Sequence, residues 1–239
     1  MEMGDTFKRS MGAMERMRLW FPNINVVMAA QVQGQIAQDD LQRGVAMARQ
    51  RHPLLGARVE LDEEGRGWFT TEGVPPISLD VVPRAAAHEW QRRVKAELER
   101  MWPIGRGPLC HLGLLNGPDA SDLVVNAHHS ICDARSLAYL IRDILGYASR
   151  SVESSEIEPV EPVALEEAVP SSASGGLLSR LMMKVLNRKW LKKGYSFDEG
   201  DYREMHQRFW QSHRATVLQW SLTATQTEAL VQRCRKRHV

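Results

Sequence analysis

The 239-residue sequence predicts an α+β fold, with a mixed, mostly antiparallel sheet flanked by helices. Three observations point to it. Short β-branched runs alternate irregularly with helical apolar stripes, without the steady strand–helix rhythm of a doubly wound sheet. Turn signals separate neighbouring strand candidates. Hydrophobic residues make up 43% of the chain and charged residues 25%, enough apolar surface for a packed core.

Asn25 to Gly34 reads as a strand. A helix follows from Ile36, with Asp39 and Asp40 in its first turn and Leu41, Val45 and Ala48 on one stripe. His52-Pro53 stops it, because the residue before proline avoids the helical region. Leu54 to Leu61 reads as a strand, Glu63 to Gly67 as a turn, and Trp68 to Thr71 as the returning strand. Ile77 to Val82 is a short edge strand after two prolines. Ala85 to Met101 is helical, with Trp90, Val94, Leu98 and Met101 on one face. Leu109 to Leu115 and Leu123 to Ala127 are strands around an Asn116–Asp119 turn. Ala134 to Tyr147 is a helix with Leu137, Leu140, Ile141 and Ile144 inward.

The composition then shifts. Ser151 to Gly176 is rich in Ser, Pro, Glu and Ala, and reads as a flexible linker or surface loop. Leu177 to Lys193 is a cationic amphipathic helix, suited to a covered protein surface, an acidic carrier protein or peripheral contact with anionic lipid. Arg214 to Leu222 reads as a strand and Thr225 to Arg237 as a helix. The expected organisation is a lobe over 1–149, an acidic linker over 150–176, the basic helix and its connection over 177–213, and a strand and helix over 214–239.

The formal net charge of +2 selects no nucleic-acid partner, and the tryptophans are too scattered for a base-stacking platform. Cys110, Cys132 and Cys234 form no CxxC pair. Reduced thiols and a cytoplasmic location are the natural expectation. No apolar run is long enough to span a bilayer, and no secretory signal is apparent.

Chemistry concentrates at His128-His129-Ser130-Ile131-Cys132-Asp133. Adjacent side chains leaving a strand point opposite ways, so only one histidine faces a substrate. A neutral imidazole near pH 7 is a competent proton acceptor. Plainer readings stand beside this: both histidines as core residues, Asp133 as an N-cap bonded near Ser136, and Cys132 as a buried filler instead of a helix-start nucleophile. The histidines lack the helical i,i+4 spacing of a zinc protease, so no metal is expected.

Four segments in order carry a resemblance: Asn25 to Gly34, Arg51-His52-Pro53-Leu54-Leu55, Gly107-Pro108-Leu109, and the HHxxxD loop. Together they resemble the first lobe of the condensation-domain and CoA-dependent acyltransferase superfamily. Stand-alone alcohol or polyketide acyltransferases and peptide-synthetase condensation domains are the most similar; chloramphenicol acetyltransferase is more distant. The resemblance spans Trp20 to Leu145 well and Arg214 to Val239 loosely. It implies a chloramphenicol-acetyltransferase-like lobe in an acyltransferase, with His129 as general base or positioning residue, and His128 and Asp133 as structural residues. The donor it implies is acyl-CoA or an acyl group on the phosphopantetheine arm of an acyl carrier protein, with no permanently bound cofactor. It also implies a complementary C-terminal lobe, in a longer chain or a second polypeptide, as the other wall of the channel. Ser196 to Gly200 does not match the second lobe's DFGxG motif.

Two departures bear on the site. Ala134 stands where the family usually has glycine. Gly56 stands where an arginine commonly pairs with the motif aspartate, which leaves Arg58 as the expected substitute partner of Asp133. The alternative function is a non-catalytic lobe that docks a carrier protein or a companion enzyme.

Overall fold

The computed structural model describes residues 6–150, 153–163, 181, 185 and 197–237. Its centre is a four-stranded sheet in the order β2-β7-β6-β5. Strands β2 (Asn25–Gln33), β7 (Ala120–His128) and β6 (Cys110–Asn116) pair antiparallel, and β5 (Leu79–Pro83) joins the edge parallel to β6. A smaller antiparallel sheet has β4 (Gly67–Thr70) between β1 (Lys8–Ser10) and β3 (Arg58–Leu61). The α+β class and the mixed, mostly antiparallel sheet expected from the sequence are both present.

The period-two alternation of a strand gives the main sheet two different faces. Leu123, Val125 and Ala127 of β7 and Cys110, Leu112 and Leu114 of β6 share one apolar cluster. Helix α2 (Gln38–Arg51) contributes Leu41, Val45 and Ala48 to it, and α4 (Ala134–Ala148) contributes Leu137, Leu140, Ile141 and Ile144. The two helices cross tightly at Gly44, where a Cβ would collide with the carbonyl oxygen of Ile144.

The intervening residues of the same strands build a polar layer under α3 (Glu89–Leu98). Glu97 is 1% exposed there. Its carboxylate meets Arg100 Nε at 2.7 Å, Arg93 at 3.0 Å and His111 Nδ1 at 3.1 Å, and accepts from Asn126 Nδ2 at 3.0 Å. Asn25, opposite His128 on β2, donates to the carbonyls of Glu97, Leu98 and Arg100 and accepts from the Trp102 indole. These bonds pin the end of α3 to the strands that carry the histidines. Burial opposes ionisation of Glu97, but the hydrogen bonds from His111, Arg100 and Asn126 outweigh it and hold the carboxyl far below its usual range.

Several elements differ from expectation. Leu54 to Leu61 is not one strand: Pro53 opens a 3-10 turn over Pro53–Gly56, and the strand starts at Arg58. The helix expected from Ala85 starts at Glu89, whose carboxylate takes the backbone N–H groups of Ala85 and Ala86 in a turn. Arg214 to Leu222 has no strand partner among the described residues; it lies along α3 through Gln91–Gln219 and Ala215–Glu99 hydrogen bonds. The helix expected from Thr225 is α6 (Ala224–Lys236), capped by the Thr223 side chain. Not foreseen were β1, α1 (Ala13–Arg18) and α5 (Glu199–Ser212). Asp198 caps α5, which accounts for its place in the Ser196–Gly200 segment.

The described part of the expected linker, 153–163, is docked. Ile157 is buried, its carbonyl accepts from Gln50 Nε2, and Val160 N–H donates to the Arg51 carbonyl at 2.7 Å. The basic helix of Leu177 to Lys193 lies outside the described residues except Leu181 and Val185, both helical and about half exposed.

Removing Glu97 leaves Arg93, Arg100 and His111 beside an unmatched hole. Glu97→Ala should therefore destabilise the lobe by about 3–5 kcal/mol, measured by urea unfolding. The carboxyl pKa is depressed on folding. Its stabilisation is thus complete above the ordinary value of 4.5 and is lost as pH falls below it. Glu97→Gln should flatten that acid-side loss.

Candidate active site

β7 ends at His128 in the middle of the sheet. Its N–H donates to the Leu109 carbonyl at 3.0 Å, and the N–H of His129 donates to Ile24 at 3.1 Å. The next turn closes when Ile131 N–H donates to the His128 carbonyl at 3.0 Å. Both neighbouring strands therefore hold the backbone where the chain leaves the sheet.

The two rings part as strand geometry requires. His128 is fully buried, edge-on to Trp102 at 6.4 Å between centroids. Its Nδ1 accepts the Ser130 N–H at 3.1 Å and lies 2.7 Å from the Ser130 hydroxyl, so Nε2 carries the proton. Burial lowers its pKa to about 3, and the ring stays neutral at physiological pH.

His129 is only partly buried. Its Nδ1 lies 2.6 Å from the Cys132 carbonyl oxygen. A carbonyl can only accept, so Nδ1 carries the proton and the Nε2 lone pair is left to take another. A backbone oxygen three residues on thus selects the tautomer that a general base needs. Nothing in a side-chain pattern announces such a backbone partner. Ser130, which orients the neighbouring ring, stood inside the motif without a foreseeable role.

Asp133 is exposed and caps α4. One carboxylate oxygen accepts both the N–H and the hydroxyl of Ser136, each at 2.8 Å. The backbone hydrogen bond from Ser136, then that from its hydroxyl, lowers the Asp133 pKa. Ala134 begins the helix with an exposed methyl, so the departure from glycine is accommodated.

The expected pairing of Arg58 with Asp133 is not formed. Arg58 sits on the smaller sheet, where it donates to the Glu72 carbonyl at 2.8 Å and to the Glu60 carboxylate. The space beside Gly56 is filled from α2 instead. A Cβ there would strike the Arg49 guanidinium, which donates to the carbonyls of Val74 and Pro75.

Burial pushes the Cys132 thiol well above its ordinary range, and its Sγ faces the His128 carbonyl at 3.9 Å. It is a packing residue, not a thiolate. Among the described residues no cluster of His, Cys, Asp and Glu is arranged around a metal position.

No family model matches the chain. A starter condensation domain of rhizomide synthetase RzmA superposes with a TM-score of 0.54 and 16% identity, covering 80% of this chain and 48% of that one. The condensation domain of the monacolin K polyketide synthase MokA gives a TM-score of 0.54 at 12% identity, over 62% of this chain and 36% of that one. The chain has the fold of a condensation-domain lobe. A variant RzmA domain solved in complex with C8-CoA matches this lobe at a TM-score of 0.50 and 16% identity, over 57% of the chain and 34% of its own length. Among curated proteins, the trichosetin synthetase of Gibberella fujikuroi, a PKS-NRPS, is 22% identical over 151 residues, which is 58% of this chain and 4% of the synthetase. The lobe thus spans between 34% and 48% of these solved condensation domains.

The cap and the ion pair predict different outcomes. Asp133→Ala should cost about 1 kcal/mol through the lost N-cap, and Asp133→Ser should recover most of it. A double-mutant cycle with Arg58→Ala, read by urea unfolding, should show no coupling energy; coupling of about 1 kcal/mol or more would restore the ion pair.

Proposed function

We propose that this lobe carries the base of a condensation-type acyltransferase. In this reading His129 Nε2 takes the proton of an alcohol or amine as that group attacks a thioester carbonyl. The new C–O or C–N bond forms, the C–S bond breaks, and the imidazolium returns the proton to the departing thiolate. The acyl donor is a thioester of CoA or of the phosphopantetheine arm of an acyl carrier protein, in keeping with the C8-CoA held by the RzmA variant.

The tautomer of His129 is the observation that supports this most. Its Nδ1–H is committed to the Cys132 carbonyl, which leaves Nε2 as the basic nitrogen of a partly buried ring. His128 contributes architecture: a buried, neutral ring cannot exchange protons with a substrate near pH 7. Asp133 contributes helix capping and takes no proton.

General-base chemistry needs donor and acceptor held together at reacting distance. A complementary C-terminal lobe, in a longer chain or a second polypeptide, completes the channel in this proposal. Residues 1–149 then form the catalytic lobe, 150–176 and the basic helix over 177–213 connect it, and 214–239 lead toward that second lobe. Leu218 and Trp220, each 73% exposed, are the surface it would cover. The same exposed stripe favours a second reading, a non-catalytic lobe that docks a carrier protein or companion enzyme.

One comparison separates the two. With the companion lobe present and octanoyl-CoA as donor, His129→Ala should slow acyl transfer about 10²- to 10⁴-fold, as expected for loss of a general base. Equal turnover of wild type and variant would remove His129 from the chemistry. No turnover by either, with carrier-protein binding retained, would favour the docking module.

A further inference from the structure

A cavity of about 270 Å³ opens behind the histidine loop, and His129 is not among its lining residues. Pro53, Leu54 and Leu55 of the turn after α2 form one wall. Ile131 and Cys132 of the loop form the second, and Leu140 of α4 the third. Val160 and Pro162 of the docked 153–163 segment lie across it as a strap. His52, Ser136 and Tyr139 supply the polar groups of the lining. His52 is already engaged with Asp143 at 3.1 Å, and the Ser136 hydroxyl with Asp133 at 2.8 Å. The remaining lining is aliphatic, with no charged side chain in it.

Such a pocket offers methyl and methylene surface and almost no free hydrogen-bonding capacity. It therefore suits a ligand whose buried part is hydrocarbon. One side of it is bounded by the docked segment. The strap is held by Val160 N–H on the Arg51 carbonyl and by Gln50 on the Ile157 carbonyl, with Ile157 buried beneath it. That docking places two apolar side chains over the opening although the segment is otherwise rich in polar residues.

We infer that this cavity, whose lining does not include His129, is a binding site for an unbranched aliphatic chain. The polar end of the ligand sits at the mouth and the chain lies between Leu54, Ile131, Leu140 and Val160. One wall residue has a second duty: the Cys132 carbonyl holds the Nδ1–H of His129. The cavity wall and the base thus share one backbone residue. The site does not depend on the acyl-transfer reading.

Straight-chain carboxylates from butanoate to decanoate test it in calorimetric titrations of the full chain. Affinity should rise roughly fourfold for each added methylene while the cavity fills, and then level off. Acetate, with no chain to bury, should not bind. In methyl-resolved NMR the signals of Leu54, Ile131, Leu140 and Val160 should move on titration with octanoate. Val160→Trp closes the mouth at a position already 44% exposed, and should weaken octanoate at least tenfold with the unfolding midpoint unchanged. His129→Ala should leave octanoate affinity unchanged, whatever it does to turnover. Affinity independent of chain length, signal changes confined to other parts of the lobe, equal binding by Val160→Trp, or loss of binding in His129→Ala would each overturn the site.

Discussion

Burying the Glu97 carboxylate constrains everything on one side of the main sheet. A charge at 1% exposure survives only with partners on every open direction. Those partners are Arg93, Arg100, His111 and Asn126, with Asn25 collecting the nearby backbone carbonyls. His111 of β6 and Asn126 of β7 sit opposite each other across the ladder and so share one face. Parity then carries the pattern to the end of β7: if Asn126 faces α3, so does His128. The next residue must turn the other way. The orientation of His129 is in this sense inherited from an ionic layer well inside the protein.

The loop that follows is held by local bonds, not by a long-range ion pair. Ile24, Leu109 and His128 carbonyls take backbone donors on both sides of the turn. Asp133 closes the far end by capping α4. Such an arrangement is insensitive to what happens at Arg58, whose guanidinium is spent on Glu60 and the Glu72 carbonyl in a different sheet. Gly56, at the position where the resemblance expects an arginine, therefore does not leave the loop loose. Arg49 fills the space beside Gly56 from the neighbouring helix and donates to the carbonyls of Val74 and Pro75.

Much of this was legible in the sequence, and the reasons for the failures are specific. The strands around Asn25, Cys110 and Leu123 and the helices of Gln38 and Ala134 have strong apolar periodicity, and they lie where that periodicity places them. The N-cap reading of Asp133 needed only local chemistry. The Arg58 pairing failed because spacing along a strand says which face a side chain takes, not which sheet the strand joins. β1 is three residues long and α1 six, too short to set up a period. Arg214 to Leu222 has strand composition, but a strand exists only where another backbone lies alongside. The oxygen that selects the His129 tautomer belongs to the main chain and has no side-chain signature at all.

That unpaired stretch has a practical side. Leu218, Trp220 and Leu222 project from it into solvent, and no neighbouring strand among the described residues takes up its amide and carbonyl groups. Unpaired backbone with an apolar flank is what sticky edges are made of. Such a strip is where copies of the lobe would meet in a concentrated preparation, and a Lys or Glu at Trp220 would blunt it.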